Sequence, residues 1–274
     1  MTAAAAQPRP EIAYERQDFE RVRSLIHARA GIALHPGKQN MVYGRLARVL
    51  RERGHPSFRS YLDALQGAGE PDWQEFVNCL TTNLTSFFRE PHHFELLAGV
   101  LREAKPGLRI WSCAASTGEE PYSIAMTVLE TLGSDGGVQL EASDIDTRVL
   151  AAARAAVYPL EAVRGLGEAR LRRFFERGVG GNAGKVRLRA QARTLPAFRP
   201  FNLLAPQWDG PPCDAIFCRN VMIYFDAPTQ RRVLERLHRR LHPGGLLFAG
   251  HAENFSQHGD LFELAGRTVY RRAR

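Results

Sequence analysis

The sequence predicts an α/β domain with a mostly parallel sheet, an inserted small antiparallel β-subdomain, and an N-terminal all-α domain. Three observations predict it. From about residue 107 short apolar runs alternate with amphipathic helical patterns, as strand–helix–strand units do. Over residues 16–89 the apolar residues recur at helical spacing. One stretch, "ERGVGGNAGKVRLRAQART", joins a glycine-rich turn to the alternating "KVRLRAQ", which reads as a hairpin.

The elements follow in order. "MTAAAAQPRPE" lacks a positive segment followed by an apolar one, so residues 1–14 read as a disordered leader and not a signal peptide. "DFERVRSLIHARAGI" sets Phe19, Val22, Leu25, Ile26 and Ala30 on one side, and Gly31 stops the helix. "KQNMVYGRLARVLRERG" repeats the pattern and ends at Gly54. "SFRSYLDAL" begins with an N-cap at Ser57. "PDWQEFVNCLTTN" has Pro71 in its first turn. These helices make a domain over residues 15–80. The polar stretch "TTNLTSFFREP" over 81–91 is a linker or lid, and an α/β domain occupies 92–274. Its strands are "LRIWSCA", "VQLEASD", "CDAIFCRN" and "GGLLFAGH", with "TVYRR" as an added antiparallel strand. The β-subdomain falls at about 176–196.

Composition narrows the classes. Hydrophobic residues are 44% of 274, enough for a sizeable core. No apolar run is long enough for a membrane span. The four cysteines, Cys79, Cys113, Cys213 and Cys218, form no CxxC pair and read as reduced, buried thiols. His238 and His242 lie four apart on an expected helix, but no HExxH pattern accompanies them, and no metal is expected. The net charge is +8 and the isoelectric point about 9.7. Two windows, 21–59 and 164–199, each carry an excess of +8. Such patches call for an acidic partner: nucleic acid, anionic lipid or an acidic protein surface.

In open α/β sheets ligands bind beyond the carboxyl ends of the strands. "IWSCAASTGEEP" runs a strand through a small-residue turn into a helix, which lets a ligand approach backbone N–H groups. It is neither a GxGxxG fingerprint nor a P-loop. Asp144 ends the next strand, 26 residues after Gly118, where an acid meets ribose hydroxyls; it serves equally well as a helix cap. A nucleoside with a non-phosphate tail fits both features, and S-adenosylmethionine (SAM) fits better than NAD. The third strand end, "FCRNVMIYF", supplies Arg219, Asn220 and Tyr224.

Six segments, "TTNLTSFFREPHHF", "WSCAASTGEEPYSIAM", "ASDIDTRVLAAAR", "FNLL", "DAIFCRNVMIYF" and "PGGLLFAGHAENF", together resemble the CheR-type chemotaxis receptor methyltransferases. The resemblance covers about residues 15–272. It implies a Rossmann-like SAM-dependent methyltransferase domain and transfer of methyl from SAM to receptor glutamates, giving methyl esters and S-adenosylhomocysteine. It implies a SAM pocket of Asn83, Thr85, Arg89, Glu120, Asp144, Asn202, Leu203, Arg219 and Asn220. Within it Glu120 takes the methionine end, Asp144 the ribose, and Asn202 and Leu203 the adenine. Arg89 and Tyr224 match residues near the transferred methyl. The resemblance further implies a cytoplasmic enzyme recruited to membrane receptor arrays, with Arg45, Arg48 and Arg51 facing acidic methylation helices. In some members the β-subdomain adds a receptor tail peptide to a sheet edge. No nucleic acid and no membrane insertion are expected.

The chemistry agrees with this residue set. A glutamate carboxylate, with a pKa of about 4.3, is ionised at neutral pH and needs no general base. The rival readings are a nucleic-acid methyltransferase and a non-catalytic SAM-sensing adaptor. The first would show an NPPY-like motif or a Pro-Cys nucleophile where this chain has "CRNVMIY". The second would lack Arg89 and Tyr224.

Overall fold

The computed structural model describes residues 12–273. Most of the expected leader, residues 1–11, lies outside the described residues. Its last residues are ordered: Ile12 is buried and the Tyr14 ring lies 4.4 Å from that of Phe58. The chain divides after Thr81 into two compact units.

The first unit holds four helices: α1 (Arg16–Ala30), α2 (Gln39–Glu52), α3 (Phe58–Gln66) and α4 (Glu70–Leu80). Their apolar stripes meet in a core of Phe19, Val22, Ile26, Val42, Leu46, Leu50, Phe58, Leu62 and Phe76. Each large apolar side chain buried in this way contributes about 1.5–3 kcal/mol. Gly31, at φ 71°, closes α1 with its N–H on the His27 carbonyl, a conformation that favours glycine. The Ser57 hydroxyl accepts from the Ser60 N–H at 3.1 Å and caps α3. Much of the basic excess of this unit meets acids further along the chain. Arg21 pairs with Asp63 at 2.7 Å, Arg29 with Glu70, and Arg53 with Asp72 and Glu75.

The second unit opens with α5 (His92–Glu103) and is built on seven strands. Five are parallel: β1 (Arg109–Cys113), β2 (Gln139–Asp144), β6 (Pro196–Pro200), β7 (Cys213–Cys218) and β8 (Leu241–Phe248). Then β9 (Phe262–Gly266) and β10 (Val269–Arg272) join antiparallel, giving the order β6-β2-β1-β7-β8-β10-β9. Helices α6 (Glu119–Leu132), α7 (Thr147–Ala155) and α11 (Ala227–Arg240) make the crossovers. Strand alternation distributes the core over both faces. Ile110, Leu140, Phe217 and Phe248 pack with Phe94, Leu97, Ile124 and Val128. Trp111, Cys113, Ile216, Cys218 and Leu247 pack with Val233, Leu234 and Leu237. Cys113 and Cys218 are register partners on β1 and β7, and all four cysteines are free and buried.

The β-subdomain begins earlier than expected. It is a three-stranded antiparallel sheet of β3 (Val157–Pro159), β5 (Lys185–Leu188) and β4 (Phe175–Arg177), in that order. Short helices α8 (Leu160–Val163), α9 (Gly167–Phe174) and α10 (Ala190–Arg193) complete it. The hairpin read from sequence is β4–β5, and β3 supplies the other edge. Tyr158, Phe174, Phe175, Val186 and Leu188 share one core with Tyr122 and Met126 of α6.

Two further expectations change. α11 ends at Arg240 and His242 lies exposed on β8, so His238 and His242 do not share a helix face. β6 was not read as a strand. Its terminal prolines suit it to the sheet edge it occupies. Among the described residues no helix is long and apolar enough to cross a membrane.

Candidate functional site

The strand order reverses direction on either side of β1: β2 and β6 follow on one flank, β7 and β8 on the other. A crevice forms at such a switch point, outside the carboxyl ends of the strands. The residues that leave β1, β2, β6, β7 and β8 stand at those ends.

The turn after β1 is sharply folded. Ala114, Ser116 and Gly118 have φ of 76°, 48° and 100°. The N–H groups of Ala114 and Ala115 bond the Ser143 carbonyl at 2.8 and 2.9 Å. A Cβ on Gly118 would sit 2.9 Å from the Tyr158 hydroxyl and 3.0 Å from Ala153 and Tyr122. Only glycine combines that φ with that contact. Glu119 and Glu120 then start α6, where carboxylates complement the helix dipole. Burial pushes the Glu119 carboxyl up, and the Thr117 hydroxyl pulls part of the way back.

Asp144 ends β2 and is buried. Its Oδ2 accepts from Ser116 N–H at 2.8 Å and its Oδ1 from Asp146 N–H at 2.9 Å. Burial raises its pKa, against these backbone bonds. The Ile145 N–H bonds this carboxylate as well, and of its about four lone-pair sites one remains for a further donor. Asp146 caps α7 through Arg148 N–H at 2.9 Å. It also accepts from Asn83 Nδ2 at 3.0 Å, and the Asn83 carbonyl accepts from Ser116 Oγ at 3.2 Å. The segment before α5 is thereby tied to the β1 and β2 turns.

Glu120 is held at both oxygens. Ser112 Oγ donates to Oε1 and Arg219 Nη1 donates to Oε2, each at 2.8 Å. Arg219 is buried. Its Nη2 donates to the Arg89 carbonyl at 2.6 Å and lies 3.4 Å from Glu90 Oε1. Burial alone would raise the Glu90 carboxyl, but Arg219 and the hydrogen bonds from His251 hold it below the ordinary glutamate value. Arg89 itself is half-buried, with Nη1 donating to the Leu84 carbonyl at 3.2 Å. Thr85 is half-buried on the same segment.

After β7 the chain turns through Asn220, a non-glycine residue at φ 59°. Glu253 holds this turn. Its Oε2 accepts from Asn220 and Gly250 N–H groups at 2.9 and 2.6 Å, and its Oε1 from Val221 and Met222 at 2.9 and 2.8 Å. Four backbone donors on one buried carboxylate make a rigid clamp under Asn220 and the 3-10 turn Met222–Tyr224. A Cβ on Gly250 would meet Asn220 Nδ2 at 2.3 Å. Beyond β6, Asn202 Oδ1 accepts from Leu204 N–H at 2.9 Å, and Leu203 is buried. Arg236 Nη1 donates to the Leu203 and Ala205 carbonyls at 3.2 and 2.6 Å and fixes that turn.

The sequence reading missed Glu253, Arg236, Ser112 and Glu90. Each acts through a fold-dependent contact, and a lone glutamate in a polar loop gives no local signal. In the first unit the basic trio divides. Arg45 turns to the end of α4, with Nη1 on the Thr81 carbonyl at 2.6 Å. Arg48 and Arg51 are exposed, and Arg48 lies 3.5 Å from Glu52.

A family model described as "CheR methyltransferase, SAM binding domain" matches residues 83–271, and "CheR methyltransferase, all-alpha domain" matches residues 17–81. The chain belongs to the CheR methyltransferase family. Its CheR relatives include the chemotaxis protein methyltransferase of Klebsiella aerogenes, 51% identical over 98% of this chain and 93% of that protein. The chemotaxis protein methyltransferase of Escherichia coli K12 is also 51% identical, over 98% of this chain and 95% of that protein. Chemotaxis protein methyltransferase 2 of Pseudomonas aeruginosa is 52% identical over 95% and 94%. This CheR chain is therefore a SAM-dependent methyltransferase. The residues fit the cofactor: a buried carboxylate at Asp144 with a lone pair to spare and a close-packed turn at Gly118.

Proposed function

We propose that the chain methylates glutamate side chains of membrane chemoreceptors, forming methyl esters that adjust receptor signalling. Its likeness to chemotaxis methyltransferases over nearly its whole length carries the reading. Asp144 would accept the ribose hydroxyls, and Asn202 and Leu203 would flank the adenine. Glu120 would take the ammonium group while remaining bonded to Ser112 and Arg219. Asn83, Thr85 and Asn220 would close the pocket. Bound SAM supplies an electrophilic methyl to an incoming carboxylate. The protein's task is to orient that carboxylate and exclude water, which is worth about 7–11 kcal/mol when complete. Arg89 would orient it by charge, and Tyr224 would donate a hydrogen bond beside it.

The exposed Arg48 and Arg51 suit acidic methylation helices. The edge strand β4 borders a cavity of about 510 Å³ lined by Leu160, Leu171, Phe175, Val186, Arg172 and Arg189. That edge suits strand addition by a receptor tail. The enzyme would work in the cytoplasm, recruited to receptor arrays through these surfaces.

The test is transfer of label from methyl-labelled SAM to receptor-bearing membranes, with RNA and DNA as controls. Base-labile label on the receptor is expected. Label on nucleic acid, or none on receptor, overturns the reading. Calorimetry with receptor tail peptides tests the β4 edge, and no affinity for any of them counts against that part.

A further inference from the structure

Three ligand atoms converge where the segment before α5 meets that helix. Glu90, His92 and His93 each offer one ligand atom, and the three atoms lie within 4.8 Å of one another. Glu90 Oε2, His92 Nε2 and His93 Nδ1 are buried and have no hydrogen-bond partner. His93 is fully buried, against the ring of Phe248 at 5.4 Å. Buried polar atoms without partners are uncommon, and three aimed at one point call for an explanation.

The geometry around His93 supplies one. Its Nε2 lies 2.9 Å from the Thr268 hydroxyl, and its Nδ1 lies 3.8 Å from Glu90 Oε2. With Nε2 donating to Thr268, Nδ1 offers its lone pair to an ion.

We infer that Glu90, His92 and His93 form a binding site for one divalent transition-metal ion of the zinc or cobalt class. Two imidazoles and one carboxylate are a donor set such ions prefer over calcium or magnesium. Bonds of about 2.0–2.2 Å at tetrahedral angles need ligand atoms about 3.3–3.5 Å apart. From within 4.8 Å of one another, the three atoms must draw together by about 1.5 Å or less. A fourth position is left for water. The Thr268 hydroxyl lies on the other ring nitrogen, where an outer partner stands in metal sites. The ion would tie the segment carrying Arg89 to the first turn of α5.

The experiment titrates the full, tag-free chain, stripped with EDTA, with Co²⁺ and Zn²⁺. Calorimetry should give one ion per chain, and Co²⁺ should show the strong visible band of a low-coordinate site. Saturating Zn²⁺ should raise the melting temperature by mass action. His92→Ala should weaken binding at least tenfold and abolish the band; His93→Gln should do the same. If the buried His93→Gln variant fails to fold, His92→Ala decides alone. No binding, or binding that His92→Ala leaves unchanged, overturns the site; the latter would mean adventitious capture by exposed histidines.

Discussion

At the scale of single residues, Glu119, Asp144 and Glu253 are carboxylates whose charge is costly to bury. Glu119 is the simplest to test, because Gln can keep the bond from Thr117 Oγ1, 2.6 Å long, while removing the charge. Its folded pKa is raised above the ordinary 4.5. Below 4.5 both folded and unfolded states hold the proton, so nothing is lost. As pH rises through the raised folded value, the folded state must carry a buried charge and stability falls. Glu119→Gln should thus match the parent near about pH 4 and exceed it near about pH 7 in denaturant unfolding. A gain that shrinks with rising pH would contradict the assignment. Two other side chains concern rate. Arg89→Ala should lower kcat for receptor methylation on the order of 100-fold if it orients the carboxylate. Tyr224→Phe should lower kcat about 5–10-fold, the worth of one hydrogen bond. Single-turnover rates check both, and unchanged transfer in either variant removes that residue's role. Asp144 stood out in the sequence because it ends a strand, and the cofactor role expected of Glu120 rested on the family resemblance. Glu253 did not stand out, since its four partners are backbone N–H groups brought together only by folding.

At the scale of elements, the β7–α11 connection depends on that clamp. Glu253→Gln replaces one accepting oxygen with an NH₂ group facing backbone donors. The loss of two bonds to a charged acceptor should destabilise the fold by about 2–4 kcal/mol. It should also weaken SAM binding, because Asn220 loses its support. Calorimetry with SAM and thermal unfolding check the two effects, and full SAM affinity in a folded variant counts against the clamp. The elements also mark where pattern reading stops. The helices of the first unit follow from period 3.6, and β1, β2, β7 and β8 from short apolar runs between helical patterns. β6 did not, because prolines stand at both its ends, which only an edge position tolerates. The β-subdomain was seen from its hairpin outward. Its third strand, three residues at Val157–Pro159, is too short to show any period.

At the scale of the whole molecule, charge is the property that acts over distance. The formal excess is +8, and many of the arginines behind it have acidic neighbours, as Arg170 has Glu130 at 2.8 Å. Arg48 and Arg51 remain on the surface. Raising ionic strength shortens the screening length from about 10 Å at 0.1 M to about 3 Å at 1 M. The KM for receptor should therefore climb with salt while kcat with saturating receptor stays level. A KM indifferent to salt would assign receptor binding to apolar contacts. The two basic windows were legible in the sequence, but which arginines are neutralised was not, because pairs such as Arg21–Asp63 and Arg170–Glu130 join distant residues.

The register pairing of Cys113 with Cys218 gives the molecule an internal clock. Both thiols are buried at the carboxyl ends of their strands, and burial, with Cys218 close by, drives the Cys113 pKa well above its ordinary value. A covered thiol does not react. Alkylation of these two positions must then wait for the sheet to open, so its rate measures how often β1 and β7 part. Ligand bound above them should slow that labelling in proportion to its hold on the sheet. Cys79, in the other compact unit, provides an independent second hand.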